Sequence, residues 1–378
     1  MKVLYIVHGT GMGGATISFF NMILGLKIKN IIPIVVYPRK GNNKANFEQI
    51  LLENNIRGYQ IPMRIEAIGA PDNARKFLQY LAVFIYSRIS RYKLSRIVQI
   101  ENPDIIHTNT GVIHFGNEVA LKYHIPHVWH IREYQDLDFH LKILPSNKRF
   151  CKLLQTSYVI TITENLLVHF YLQEYPLAKC IYNGIYKKSS AIYDLPKEKF
   201  FLSASRISPE KGISDILEAF GRIHDEIPEY KLIIAGYGNQ KHIEELRQLV
   251  SEKKIIKQVE FVGFIKDIKP LMRKATALIV ASHNEGFGRM TAEASFMGCA
   301  VVGRNTAGTK EIMDKVGGLR FSSVNELARQ MLYITRLDND KYDALTRSAQ
   351  EKAVALFSIE RNIDEVYNFY QSIEKRKS

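Results

Sequence analysis

ALIVASHNEGFGRMTAEASFMGCAVV (residues 277–302) passes from an apolar run through a glycine turn into a helical pattern. ALIVAS (277–282) is small and aliphatic throughout and bounded by polar residues, as a buried strand is. After the turn at Glu285–Gly288, TAEASFMG is built of good helix formers and closes on Gly298, a natural C-cap. Glu285 is therefore expected in a strand-to-helix loop, and Glu293 about two turns into the helix. Gly286 and Gly288 let the backbone approach a ligand, and the helix N-terminus over Phe287, Arg289 and Met290 favours an anion. A phosphate cradle flanked by two carboxylates suits a sugar nucleotide, because amides hold the diphosphate while carboxylates accept hydrogen bonds from hydroxyls.

On both sides of this segment strand-like runs alternate with helical patterns. KVLYIV, a helix from about Thr16 to Lys27, IPIVVY and a helix near Asn46–Asn54 open a βαβα rhythm that DIIHTN, HVWHI and YVITIT continue. A second series runs through FFLSAS, KLIIAG, VEFVGF, ALIVAS and AVVGRN. At 378 residues the chain is long for one hydrophobic core. The expectation is two doubly wound α/β domains, 1–186 and 187–357, connected near GIYKKSSAIYDLPKEK (184–199). The last stretch, about 358–378, reads as an amphipathic helix with a basic tail.

Several further segments carry chemistry. In LSASRISPEKGISDILEAF (202–220), Arg206 and Lys211 bracket a turn between strand and helix, where both can meet a diphosphate. On this pattern alone, two solvated loop cations is the simpler reading. In HGTGMGGA (8–15), Gly9, Gly11 and Gly14 satisfy the dinucleotide-binding spacing. The second strand, however, ends on Arg39 and Lys40 where that fingerprint wants an acid, so an NADP-dependent oxidoreductase stands as an alternative. His107, His127 and His130 lie in strands, where histidine is more often a structural hydrogen-bonder than a catalyst.

The spacing of Glu285 and Glu293 within EGFGRMTAE, E-x7-E behind a strand and a Gly-Phe-Gly turn, resembles the signature of the retaining glycosyltransferases of family 4. SRISPEKG is similar to that family's donor-phosphate loop, and HVWHIREY (127–134) to its strand ending in a histidine. The likeness covers nearly the whole chain and is most specific over 203–313. It implies a GT-B fold, two Rossmann-like domains facing across a cleft, with the final helix crossing back to the first domain. The first domain would be the acceptor side and the second would bind the nucleotide sugar. It implies transfer of a hexose-type sugar from a UDP- or GDP-sugar with retention of configuration, to a glycan or polyprenyl-linked acceptor of surface polysaccharide assembly. Arg206, Lys211 and the amides of residues 287–290 would then clamp the leaving diphosphate. Glu285 would hold a donor-sugar hydroxyl and Glu293 the ribose, while backbone near Gly263 and Phe264 would border the base. Gly13 and Gly14 would bring backbone to the reaction centre. His130 is the expected donor-sugar contact, His107 the second choice, and His127, on the opposite strand face, structural. Asp136-Leu-Asp138 is read as structural or at most acceptor-side, so no metal or cofactor is expected.

Composition narrows the remaining classes. The net charge is +14, and residues 1–186 hold 21 Lys and Arg against 12 Asp and Glu. No zinc spacing, RNA-recognition signature or basic-region heptad accompanies that charge, so nucleic acid is not expected as a partner. A basic, non-catalytic binding module is the third alternative. Cys151, Cys180 and Cys299 are too few and scattered for a disulfide framework. No secretory leader or apolar run long enough for a span is evident, which points to the cytoplasm. RKFLQYLAVFIYSRISRYKLSRI (75–97) mixes apolar residues with Arg88, Arg91, Lys93 and Arg96. It reads as an amphipathic helix packed on the sheet or as one meeting an anionic membrane at the inner face.

Overall fold

The computed structural model describes residues 1–69, 73–193 and 196–376, with the backbone alone for 73–77. They divide into two compact units, 1–184 together with 359–376, and 185–358.

The first unit is built on strands β1 (Lys2–Ile6), β2 (Ile32–Pro38), β3 (Arg57–Ile61), β5 (Ile105–Thr108), β6 (His127–Ile131), β8 (Tyr158–Thr161) and β9 (Ala178–Cys180). They pair in the order β3-β2-β1-β5-β6-β8-β9, parallel throughout. Two short strands, β4 (Ala67–Ile68) and β7 (Lys142–Ile143), make a separate antiparallel pair. Both faces of the main sheet are covered, which is why β1 is apolar and buried from Val3 to Ile6. Val3 and Tyr5 pack with Phe19, Ile23 and Leu26 of the helix Gly14–Ile28, whereas Leu4 and Ile6 pack with Leu94, Val98 and Phe115 on the opposite face. The C-terminal helix Ile359–Lys375 adds Val366, Phe369, Tyr370 and Ile373 to the first of these cores. At Gly25 a side chain would collide with Ile363, so the lack of one lets the two helices touch.

The second unit orders its strands β12-β11-β10-β13-β14-β15, again all parallel. They are β10 (Glu198–Ala204), β11 (Lys231–Ala235), β12 (Val259–Gly263), β13 (Ala275–Val280), β14 (Ala300–Arg304) and β15 (Leu319–Phe321). Strand order reverses on either side of β10, between β11 and β13. In open parallel sheets a crevice forms at the carboxyl ends of strands flanking such a point.

Strands β3, β9 and β15 were not expected from the sequence. Each is a sheet edge with half-exposed polar residues, and an edge strand needs no continuous apolar run. Glu293 also sits earlier in its helix than the pattern suggested. The helix begins at Arg289, so Glu293 is just past the first turn and closer to the glycine loop.

Candidate active site

The loop after β13 is shaped by what packs behind it. Gly288 adopts φ +78° as N-cap of the helix Arg289–Phe296, and a Cβ there would lie 2.9 Å from the backbone nitrogen of Thr309. Both the left-handed backbone and the close approach require glycine. Phe287 buries its ring edge-on against Phe357, 5.8 Å between centroids, so its side chain belongs to the core. The Gly308 amide donates to the Glu285 carbonyl at 2.9 Å, which pins the other end of the loop.

Glu285 is held in place by two donors. The Ser282 hydroxyl donates to its carboxylate at 2.7 Å, and Lys211 Nζ approaches the same oxygen at 3.0 Å. These three residues, with Ser203, Ser205 and Met290, line a narrow pocket at the carboxyl ends of β10 and β13, the switch point of the sheet. Lys211 carries three N–H donors, and the Glu285 contact accounts for one of them. Ser282 was missed in the sequence because a serine at a strand end carries no distinguishing signal.

Glu293 is buried and accepts from Arg289 Nε at 2.6 Å, one helical turn away. Tyr186 lies beside it. Burial first, and then the Glu293 charge, pushes the Tyr186 hydroxyl well above the usual phenol range. Arg206 is not in the pocket: its guanidinium pairs with Glu210 at 2.6 Å on the surface. Phe264 follows β12 with its ring exposed, edge-on to the exposed Tyr237 at 6.0 Å. Gly13 caps the first helix of the chain and Gly14 opens it, and a Cβ at Gly9, Gly11 or Gly13 would meet nothing within 4 Å.

In the first unit the three strand histidines differ in how their ring nitrogens are used. His127 engages Thr108 at 2.8 Å and Ser157 at 3.1 Å, so both nitrogens are spoken for. His107 engages Tyr370 at 2.6 Å through Nδ1 and His130 at 3.2 Å through Nε2. Of the three, only His130 keeps a buried nitrogen, Nε2, without a hydrogen-bond partner. Burial, and then the nearby Arg132, holds both His107 and His130 well below the usual imidazole range, and burial alone takes His127 to about 3. Arg132 and Tyr370 were not singled out from sequence. Tyr370 is remote in the chain from the strand it supports, so no local pattern could reveal it.

Asp138 works on its own loop, accepting from the backbone amides of Tyr134 at 2.9 Å and Gln135 at 2.7 Å. Asp136 faces His169 at 3.0 Å. Among the described residues no group of three or more His, Cys, Asp or Glu side chains is arranged to hold a metal ion.

Residues 186–352 match the family model of the glycosyl transferases group 1. A trehalose synthase of Pyrococcus horikoshii is 25% identical over 150 residues, 37% of this chain and 36% of that protein. The chain thus spans little more than a third of that relative's length. An uncharacterized glycosyltransferase of Methanocaldococcus jannaschii is 25% identical over 290 residues, 68% of this chain and 70% of its own length. The crystal structure of Anabaena Alr3699/HepE in complex with UDP superposes with a TM-score of 0.79 at 19% identity, over 98% of this chain and 100% of that one.

The fold is GT-B. Within it, the group 1 match coincides with the second unit, which holds Lys211, Glu285 and Glu293. His130 and its neighbours lie outside the matched residues.

Proposed function

We propose that the chain is a retaining glycosyltransferase that moves a hexose-type sugar from a UDP- or GDP-sugar to a glycan or lipid-linked acceptor. The observation that carries this reading is the Lys211–Glu285–Ser282 cluster at the switch point of a parallel sheet, with Glu293 on the helix that follows. A carboxylate pinned by a lysine offers its outer lone pairs to sugar hydroxyls, while the lysine's remaining N–H groups meet the diphosphate. The acceptor oxygen forms a bond to the anomeric carbon as the carbon–diphosphate bond breaks. The bonding pair leaves on the diphosphate, which also takes the acceptor's proton. Lys211 and the amides of residues 287–290 stabilise that developing charge.

Arg206 joins them by releasing Glu210, which costs little because an exposed ion pair is worth about 0–1 kcal/mol. The exposed Tyr237–Phe264 pair is a stacking surface for the base, and Glu293 takes the ribose. The structures that the fold resembles include complexes of Anabaena Alr3699/HepE with UDP and with UDP-glucose, and these support the donor class. No metal is required, since protein cations occupy the diphosphate position. EDTA should leave transfer intact, and loss of activity restored by manganese would overturn that part. A screen of UDP- and GDP-sugars, with products read by mass spectrometry and the anomeric proton by NMR, tests the whole reading. Inverted product, or no transfer with any donor, would refute it.

A lipid-linked acceptor places the protein at a membrane surface, in the cytoplasm at the inner face, in surface polysaccharide assembly. A specific observation favours the membrane. On the helix Asn73–Glu101, Leu78, Leu81, Ile85, Ile89 and Tyr92 are exposed and recur every three or four residues, opposite the buried Val83, Leu94 and Ile97. From Asn73 to Ile100 the helix carries no acid. Among the described residues no helix is long and apolar enough to cross a membrane.

A further inference from the structure

His130 is buried at the end of β6, and its Nε2 is a polar atom with no partner, a state that folded proteins rarely leave unexplained. Whether that nitrogen offers a proton or a lone pair decides what it can bind, and its surroundings settle the choice. Arg132 Nη2 lies 3.4 Å from His130 Nδ1. A guanidinium only donates. His130 Nδ1 must therefore be an acceptor, and in a neutral ring the proton then sits on Nε2. The same polarity passes down the chain. His107 Nε2, 3.2 Å from the accepting His130 Nδ1, carries a proton, so the His107 lone pair lies on Nδ1; the Tyr370 hydroxyl reaches both this nitrogen at 2.6 Å and the Tyr5 hydroxyl at 3.3 Å, and the shorter contact takes its one proton.

Arg132 is itself firmly oriented. Its Nε donates to Asn109 Oδ1 at 2.8 Å and its Nη1 to Asn183 Oδ1 at 2.7 Å, both buried side chains. Without such an anchor the histidine pair could run with either polarity, because two imidazoles and a tyrosine hydroxyl can each donate or accept.

We propose that Arg132 is a positioning residue that fixes the His107–His130 pair in one polarity, so that His130 presents an Nε2–H donor, never a lone pair, to an oxygen of the bound ligand. The ligand class follows: an oxygen acceptor such as a sugar hydroxyl or a phosphate oxygen. The ligand's identity rests on the transferase reading above; the tautomer does not.

The test is long-range ¹H–¹⁵N NMR of the full chain labelled with ¹⁵N-histidine, with signals assigned through His107→Gln and His130→Gln. Both rings are expected as neutral Nε2–H tautomers from pH 6 to 8. Arg132→Met should populate Nδ1–H on His130, Arg132→Lys should keep the parent form, and Tyr370→Phe should leave His130 unchanged. Nδ1–H on His130 in the parent, or an unaltered tautomer in a folded Arg132→Met, overturns the proposal. If Arg132→Met does not fold, the parent spectrum with Arg132→Lys and Tyr370→Phe decides alone. In a transfer assay, Arg132→Met should lower kcat at least tenfold in the parent and have no further effect in a His130→Phe background. Independent, multiplying losses would overturn the role through His130. Absence of any transfer by the parent, with the tautomers as stated, sinks the transferase reading and leaves this one standing.

Discussion

At Lys211 one ammonium group faces two demands, the carboxylate of Glu285 at 3.0 Å and the diphosphate proposed above. Lys211→Ala removes the phosphate contact and also leaves Glu285 with Ser282 as its one remaining donor of the two. Glu293→Ala removes the ribose acceptor and releases Arg289. Each should weaken UDP binding by about 1.5–3 kcal/mol, roughly ten- to a hundredfold, read by titration calorimetry. Unchanged affinity in both variants would remove the donor site from this loop. His127 makes a different prediction, about stability. Its imidazole titrates at about 3 in the folded chain and near its ordinary 6.5 once unfolded. Above pH 6.5 both forms are neutral and the contribution is full. As pH falls from 6.5 towards 3 the unfolded chain takes up a proton that the fold refuses, and stability drops by about 1.4 kcal/mol per pH unit. His127→Gln should flatten the acid side of the first unit's melting curve by one proton. An identical pH slope in the variant would mean that His127 is protonated in the fold.

At the scale of one element, the helix Asn73–Glu101 buries one face in its C-terminal half. Its inner face contributes Leu94, Ile97 and Val98 to the core, and Arg91 is taken up by Glu118 at 2.7 Å. Arg91 therefore serves the fold, which removes it from the set of four cations that the sequence grouped together. Arg88, Lys93 and Arg96 remain exposed around the outward apolar stripe. Cations near an anionic bilayer contribute about 1 kcal/mol each, so the three together supply roughly a hundredfold in binding. Replacing all three with glutamine should abolish co-sedimentation with phosphatidylglycerol vesicles and leave UDP binding unchanged. Ile85→Ser with Ile89→Ser should also weaken it, and 0.5 M salt should act on the parent through screening. If the triple variant sediments like the parent, the outward face does not serve an anionic bilayer.

For the whole molecule, the consequential feature is that the first unit is not one continuous stretch of chain. Its core is completed by residues from the C-terminal helix, after the second unit has intervened. Val366, Phe369, Tyr370 and Ile373 are buried, at about 1.5–3 kcal/mol each. Their sum matches the whole stability of a typical domain, about 5–15 kcal/mol. A chain ending at Ser358 should therefore lose the first unit's calorimetric transition and keep that of the second, together with its UDP-dependent shift. Survival of both transitions would show that the first unit is stable without its last helix.

Local pattern was enough for the strands that form sheet interiors, because a strand buried on both faces is apolar along most of its length. ALIVAS and KVLYIV, apolar apart from the terminal Ser282 and Lys2, are legible for that reason. The turn at Glu285–Gly288 was legible because Gly288 sits in a left-handed conformation that other residues resist. Edge strands β3, β9 and β15 were not, since one paired side tolerates polar residues. Glu293 was placed too deep in its helix because the helix starts only at Arg289, behind the N-cap Gly288, a boundary set by backbone geometry that composition does not encode. Tertiary structure alone decided which polar groups meet. Arg206 turned to Glu210, Ser282 joined Lys211 on Glu285, and Tyr370 reached back to His107 across the chain. Side-chain identity states what a group can donate or accept. Which partner it finds depends on distances that exist only after the sheets and helices have packed.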